Sequence, residues 1–310
     1  MISEAELIVD RRRLRRKLTL WRILAVVLAI AAIAALVWEA GGRKRADHVA
    51  RISISGLITG DQKTLDLLKE VREANQVKGV LLRIDSPGGT TAGSEAVYEQ
   101  VLAMASKKPV VAVMDTVAAS GGYITALAAD RIVARGNTIT GSIGVIFSFP
   151  EVSRLLDMVG VRMEELKSGD MKAEPSPYRP VSEKARAVSM EMVDDGFQWF
   201  MGLVAERRGL PMERVRELSD GRVYTGRQAV KVKLIDEIGG EAEARSWLLA
   251  EKSVPAALPV EDWEPRRDPG ATGLGFASGW ALRALGLEGF QETAERAQLD
   301  GLLVLWHPAQ

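Results

Sequence analysis

The sequence predicts an α/β fold with a largely parallel sheet, set behind an N-terminal membrane-spanning helix. Two observations carry this reading. Strand-like and helix-like runs alternate from about residue 49 to residue 240, as βαβ units require. Ahead of them stands one apolar run from Leu18 to Trp38, broken only by Thr19 and Arg22.

Arg11, Arg12, Arg13, Arg15, Arg16 and Lys17 precede that run. As a helix, residues 18–38 extend roughly 31 Å, close to the hydrocarbon thickness of a bilayer. Arg22 lies one turn inside, close enough to snorkel, and Trp21 and Trp38 mark the two interfaces. The rival reading is a cleavable signal peptide ending near Ala40 and Gly41, but the span is long and Glu39 beside Trp38 makes a poor cleavage context. The basic block outweighs Arg43, Lys44 and Arg45, so residues 1–17 are expected in the cytoplasm. After a linker over 39–48, the rest lies outside the cytoplasmic membrane.

Residues 49–58 (VARISISGLI) alternate apolar and polar positions and read as a strand. Residues 63–74 carry Leu65, Leu68 and Val71 at helical spacing. Residues 77–84 (VKGVLLRI) form a buried strand ending in a Pro-Gly turn, DSPGG, over 85–89. A helix over 94–106, a strand over 110–114, a helix over 123–129 and a strand over 131–134 follow. Residues 188–208 form a long amphipathic helix, residues 221–226 open a further turn and helix, and residues 235–240 close the domain, placed at 49–250. Pro255, Pro259, Pro265 and Pro269 open a Pro/Gly-containing extension over 251–310, in which 270–290 reads as a packed or a lipid-touching helix.

Composition narrows the chemistry. Acidic and basic residues balance at 41 each, which gives no global field for nucleic acid. The absence of cysteine removes thiolate nucleophiles and cysteine metal sites. The only histidines, His48 and His307, flank the predicted domain. A Ser-His-Asp triad would need one of them, so a hydrolase here draws its base from Lys, Asp, Glu or Tyr.

Three segments carry candidate chemistry. In VVAVMDTVAASGGY (110–123) a buried strand runs into Ser120 and a helix begins at once, which places the hydroxyl where free amides and the helix dipole favour negative charge. Taken alone, Ser120 reads equally as an N-cap. In DSPGGT (85–90), Gly88 and Gly89 expose backbone amides that suit a scissile carbonyl oxygen or an extended substrate strand. In KSGDMKAEP (167–175) a lysine near neutral pH needs a pKa far below the usual value of about 10.4 to act as base. The residues leave Lys172, Lys167 and Lys184 open for that role.

Together DSPGGT (85–90), TVAASGGYITALAADRIVA (116–134), TGSIGV (140–145), SGDMKAEPSP (168–177) and DGRVYTGRQAVKVKLIDEIGG (220–240) resemble the signal peptide peptidase A family of Ser-Lys membrane proteases, in its half-size form. The resemblance implies a fold of ClpP/crotonase-like repeated ββα units. It implies Ser120 as nucleophile and Lys172 as general base, the amide of Gly89 as oxyanion donor, Gly88 and Gly121 beside it, and Ser142 as a candidate for orienting the lysine amine. Met171 before the lysine and Ala173-Glu174 after it depart from the family pattern and bear on local loop shape. No metal and no organic cofactor are implied. Implied partners are signal peptides and other short hydrophobic peptides, the lipid bilayer, and further copies of the chain in an octameric ring whose protomers share the dyad. The alternatives are a stomatin-partnered Ser-Lys protease, a non-catalytic ClpP-like membrane scaffold, and a crotonase-like acyl-CoA enzyme, which an outward-facing domain disfavours.

Overall fold

The computed structural model describes residues 17–31 and 46–265 and the backbone of 303–305. The chain divides into two units, 1–46 and 47–310. In the first, residues 17–31 form a helix (α1) with every side chain exposed. No helix among the described residues is long and apolar enough to cross a membrane. The far part of the expected span, 32–38, lies outside the described residues, as do 1–16, most of the 39–48 linker and the helix expected over 270–290.

The second unit is a nine-stranded mixed α/β sheet, largely parallel. Its strands are β1 (His48–Ile58), β2 (Val77–Thr90), β3 (Val110–Ala119), β4 (Arg131–Ala134), β5 (Ile139–Gly141), β6 (Val223–Thr225), β7 (Glu237–Ile238), β8 (Val260–Trp263) and β9 (Leu303–Leu305). The main path runs β6-β5-β3-β2-β1-β8, with β4 also against β3, β7 against β4 and β9 against β2. Among the described residues only β5–β6 and β2–β9 are antiparallel.

Alternation along the central strands sorts the core into two layers, because successive side chains point to opposite faces. Val80, Leu82, Ile84, Val110, Ala112 and Met114 face one side. There they meet α2 (Gln62–Glu73), α3 (Thr91–Ala105), α4 (Gly121–Leu127) and α6 (Glu183–Arg208). Leu81, Val111, Val113 and Val133 face the other side and pack on Ala244 and Leu248 of α9 (Glu241–Lys252). Two six- and seven-residue helices, α5 (Ser153–Met158) and α7 (Met212–Leu218), and α8 (Gly226–Lys231) complete the elements. Polar caps set the helix starts: Asp61 accepts the Thr64 amide, Thr90 the Gly93 amide and Ser182 the Ala185 amide.

Two differences from the sequence reading matter for the site. The sheet continues beyond residue 250, since β8 adds to the free edge of β1 and Trp263 is buried there. And residues 85–89 are not a turn. β2 runs through Asp85-Ser86-Pro87-Gly88-Gly89 to Thr90, held by β1 up to the pair Ile58↔Gly89. Register shifts at Ile84/Ser86 against β3 and at Ser55/Leu57 against β1 absorb Pro87, which has no amide to give a ladder.

Candidate active site

β3 ends at Ala119 and the chain turns into α4 through Ser120. The turn is fixed from both sides: the Ser120 amide donates to the Gly141 carbonyl at 2.8 Å, and its carbonyl accepts the Ile124 amide at 2.9 Å. This pinning holds Ser120 at φ 55°, ψ −116°, a backbone region that costs a side-chain-bearing residue about 1–3 kcal/mol. A strained serine between a strand and a helix is the geometry of a nucleophile elbow. Ser120 occupies the N-cap position of α4, yet its side chain makes no cap hydrogen bond. Its Oγ is buried and has no hydrogen-bond partner among the described residues. An unpaired buried hydroxyl costs stability, so the capping explanation of this serine fails on its own energetic grounds.

Close backbone packing brings β2 to the same corner. A Cβ on Gly122 would stand 2.7 Å from the Ser86 carbonyl oxygen, and one on Gly89 would stand 1.9 Å from that of Ile58. Ser86 pairs with Ala118 of β3 and is fully buried. Its hydroxyl donates to the Gly56 carbonyl at 2.6 Å and accepts the Gly88 amide at 3.1 Å. The Gly88 amide is thus already engaged, whereas the amide of Gly121, first residue of α4, belongs to the turn without intrahelical acceptors.

The corner is braced from behind by DGRVYTGRQA. β6 pairs antiparallel with β5, and the Ser142 amide donates to the Arg222 carbonyl at 2.9 Å. Ser142 is nearly buried at φ 51° and directly follows Gly141, whose carbonyl holds Ser120. The Tyr224 ring leaves no room for a side chain at Gly141, where a Cβ would lie 2.6 Å from it. Thr225 and Gln228 form a reciprocal capping box that starts α8. Gly141, Arg222 and Ser86 were missed as site-forming residues, although each lies inside a quoted motif.

Three other candidate bases, Tyr123, His48 and Lys167, are occupied. Tyr123, three residues after Ser120, is buried and donates its hydroxyl to the Leu234 carbonyl at 2.7 Å, and burial pushes its phenol up. His48 is buried, stacks on Trp263 and accepts that indole's N–H at 3.0 Å, a structural role. Lys167 Nζ sits between the carboxylates of Glu165 and Glu174, 3.1 Å from each. Arg179 pairs with the same two carboxylates. The hydrogen bond from Arg179, then that from Lys167, holds the Glu174 carboxyl down at about 2.

Lys172 lies in this braced segment, with its amide on the Gly169 carbonyl at 3.0 Å. Its side chain is exposed, as is Lys184 in the first turn of α6. Because Ser120 Oγ has no partner, one chain alone does not join the serine and Lys172 by a hydrogen bond. The chain that leads to this segment exposes Phe149, Leu155, Met158, Val159, Met163 and Leu166.

The chain is similar to known proteins. Residues 103–255 match the model of Peptidase family S49. The Synechocystis sp. protein slr0021, named as a protease, is 39% identical over 201 residues, covering 64% of this chain and 72% of that one. A protein named as signal peptide peptidase SppA in Enterococcus faecium is 35% identical over 246 residues, covering 75% of this chain and 70% of that one. A ClpP1 point mutant from Listeria monocytogenes is a solved structure 17% identical, at TM-score 0.42, covering 61% of this chain and 91% of that one; a likeness this slight carries no argument.

Proposed function

We propose that this chain, which belongs to peptidase family S49 and is a serine protease of the signal peptide peptidase A group, is a membrane-anchored endopeptidase with Ser120 as nucleophile and Lys172 as general base. The observation that carries the reading is the buried, unpartnered Oγ of Ser120 on a strained strand-to-helix turn. The lysine comes from a neighbouring copy in a homo-oligomeric ring, taken from the family resemblance as octameric. Support for a shared dyad is the exposed side chain of Lys172, preceded in the chain by exposed apolar residues from Phe149 to Leu166 that suit burial against a second copy.

In this mechanism the neutral amine of Lys172 takes the Ser120 proton as Oγ attacks the peptide carbonyl. The amides of Gly121 and Gly89 stabilise the oxyanion, and Ser142 orients the amine. Lys172 then protonates the leaving amine, and water attacks the acyl-enzyme with the lysine again as base. A substrate strand lies along Gly88–Thr90. The substrates are cleaved signal peptides and other short hydrophobic peptides at the membrane. Residues 18–38 anchor the protein in the cytoplasmic membrane with the N-terminus inside and the protease domain outside; the apolar run and its arginine flank support this.

Mixing tests the shared dyad. Ser120→Ala and Lys172→Ala proteins should each be inactive, and co-assembly of the two should regain peptidase activity, since some interfaces then hold an intact serine and an intact lysine. Mixed assemblies that stay inactive, shown by cross-linking to contain both variants, refute sharing. A serine-directed probe that fails to label the wild-type assembly at Ser120 refutes the nucleophile.

A further inference from the structure

Ser120 stands at one end of α4, and the fixing of the other end bears on it. α4 is seven residues long, about two turns, and a helix so short does not hold its own place through internal hydrogen bonds. All seven residues are buried. The carbonyls at its carboxyl end lack intrahelical partners, and because Leu127, Ala128 and Ala129 are buried, water is a poor substitute.

A side chain from far along the sequence supplies the donors. Arg207, in the last turn of α6, donates from Nε to the Leu127 carbonyl at 2.7 Å and from Nη2 to the Ala129 carbonyl at 2.9 Å, with the Ala128 carbonyl at 3.4 Å. Its charge also complements the negative end of the α4 dipole. Arg208 acts on the same helix at one remove. It donates to the Lys233 carbonyl at 2.8 Å and pairs with Asp236 at 2.6 Å, on either side of the Leu234 carbonyl that accepts the Tyr123 hydroxyl. At the opposite end the Gly141 carbonyl holds the Ser120 amide. α4 is pinned at both ends, and a strained residue such as Ser120 persists only where its surroundings over-determine it.

We propose that Arg207 is a positioning residue for Ser120: by tying down the carboxyl end of α4, it fixes the helix along its axis and holds the serine hydroxyl where it attacks. The inference rests on the reading of Ser120 as nucleophile. Two turns of buried helix move as one piece, so slack at Ala128 becomes slack at Ser120. Misplacing a reacting group by about 1 Å costs on the order of 100-fold in rate. Peptide affinity is set by β2 in the reading above, so the loss falls on kcat and leaves KM unchanged.

Arg207→Met tests this, because methionine keeps an apolar stem and removes every donor. The control is Lys108→Ala. Lys108 Nζ caps α2 by the same chemistry, on the carbonyls of Val71 and Ala74 at 2.9 and 2.6 Å, but α2 does not carry the serine. In the full-length assembly, kcat, KM, thermal melting and the rate of Ser120 labelling by a fluorophosphonate are measured, all well below the melting temperature of each variant. Arg207→Met should lower both kcat and the labelling rate at least about tenfold at constant KM. Lys108→Ala should melt lower than wild type yet label at the wild-type rate. Wild-type labelling of Arg207→Met overturns the positioning role and leaves Ser120 as nucleophile intact. Equal loss of labelling in Lys108→Ala also overturns it, since loosening anywhere in the fold then suffices. Should Arg207→Met not fold, the same outcomes are read from Arg207→Gln, which retains one amide group as donor.

Discussion

The corner at Ser120 is walled by buried side chains and fixed by backbone hydrogen bonds, whereas the segment carrying Lys172 lies at the surface and is braced by ion pairs. Around Ser120, the Gly141 carbonyl, the buried Ser86 hydroxyl and the close approach of α4 to β2 leave the serine one conformation. Around Lys172, the braces are Glu165, Lys167, Glu174 and Arg179, long side chains whose pairing at a surface contributes little stability each. One half of the proposed dyad is complete within a single fold. The other half is presented outward, where a second chain can complete it. Precision is held where the strain is, and the docking proposed above falls on the surface that ion pairs brace.

The largest effects should come from the two groups proposed to react, and they distinguish the regions only through folding. Ser120→Ala and Lys172→Ala should each lower peptidase activity by a factor on the order of 10⁴ or more. Both proteins should stay folded, with Lys172→Ala melting as wild type and Ser120→Ala slightly higher, because alanine no longer buries an unpaired hydroxyl. A Lys172→Ala protein with substantial turnover would end the role of this lysine.

Next come substitutions inside the rigid corner. Gly89→Ala drives a Cβ into the Ile58 carbonyl, and the backbone on both sides must shift. We expect a loss of about 3 kcal/mol or more in denaturant unfolding, at the upper end of overpacking costs, with activity lost in parallel. Ser86→Ala leaves the Gly56 carbonyl and the Gly88 amide without their partner. Its expected cost is about 1–3 kcal/mol, together with a raised KM for peptide. An unchanged KM in Ser86→Ala would separate Gly88 from substrate binding.

The smallest effects belong to the Lys172 segment. The Glu174 carboxyl is held at about 2 in the folded chain, against 4.5 for a free glutamate, by Arg179 and Lys167. A depressed carboxylate stabilises the fold fully above the unfolded value, and that contribution fades as pH falls from about 4.5 towards 2. Limited proteolysis should therefore open residues 165–179 in this acidic window and leave them closed at neutral pH. Glu174→Gln should reduce the acid dependence, with the remainder due to Glu165, whose carboxyl Lys167 and Arg179 also hold down, while leaving β1–β3 protected in hydrogen exchange. Acid opening of both regions together would show that they do not unfold separately.

Much of this architecture was legible in local sequence. Apolar alternation over 49–58 and the small residues around Ser120 placed β1 and α4 to within two positions, and the buried runs from 77 and 110 placed the starts of β2 and β3, whose observed ends lie six and five residues further on. The motif DGRVYTGRQA could be singled out, but its work could not be read, because bracing β5 depends on an antiparallel pairing with residues far upstream. Likewise Pro-Gly-Gly over 87–89 has the local chemistry of a turn, and only the neighbouring β1 keeps it extended.

By itself the sequence determined an α/β fold, a lack of histidine and cysteine chemistry, and a short set of serines and lysines able to replace it, since periodicity and composition are local properties. The tertiary structure alone decided that Ser120, which like Ser94 buries a hydroxyl without a partner among the described residues, does so on a turn at positive φ, that Lys167 is tied between carboxylates, and that β9 lies on the edge of β2 beyond Ser120. The physical reason is that backbone pairing and burial arise between segments distant in the chain, and no window of sequence contains both partners.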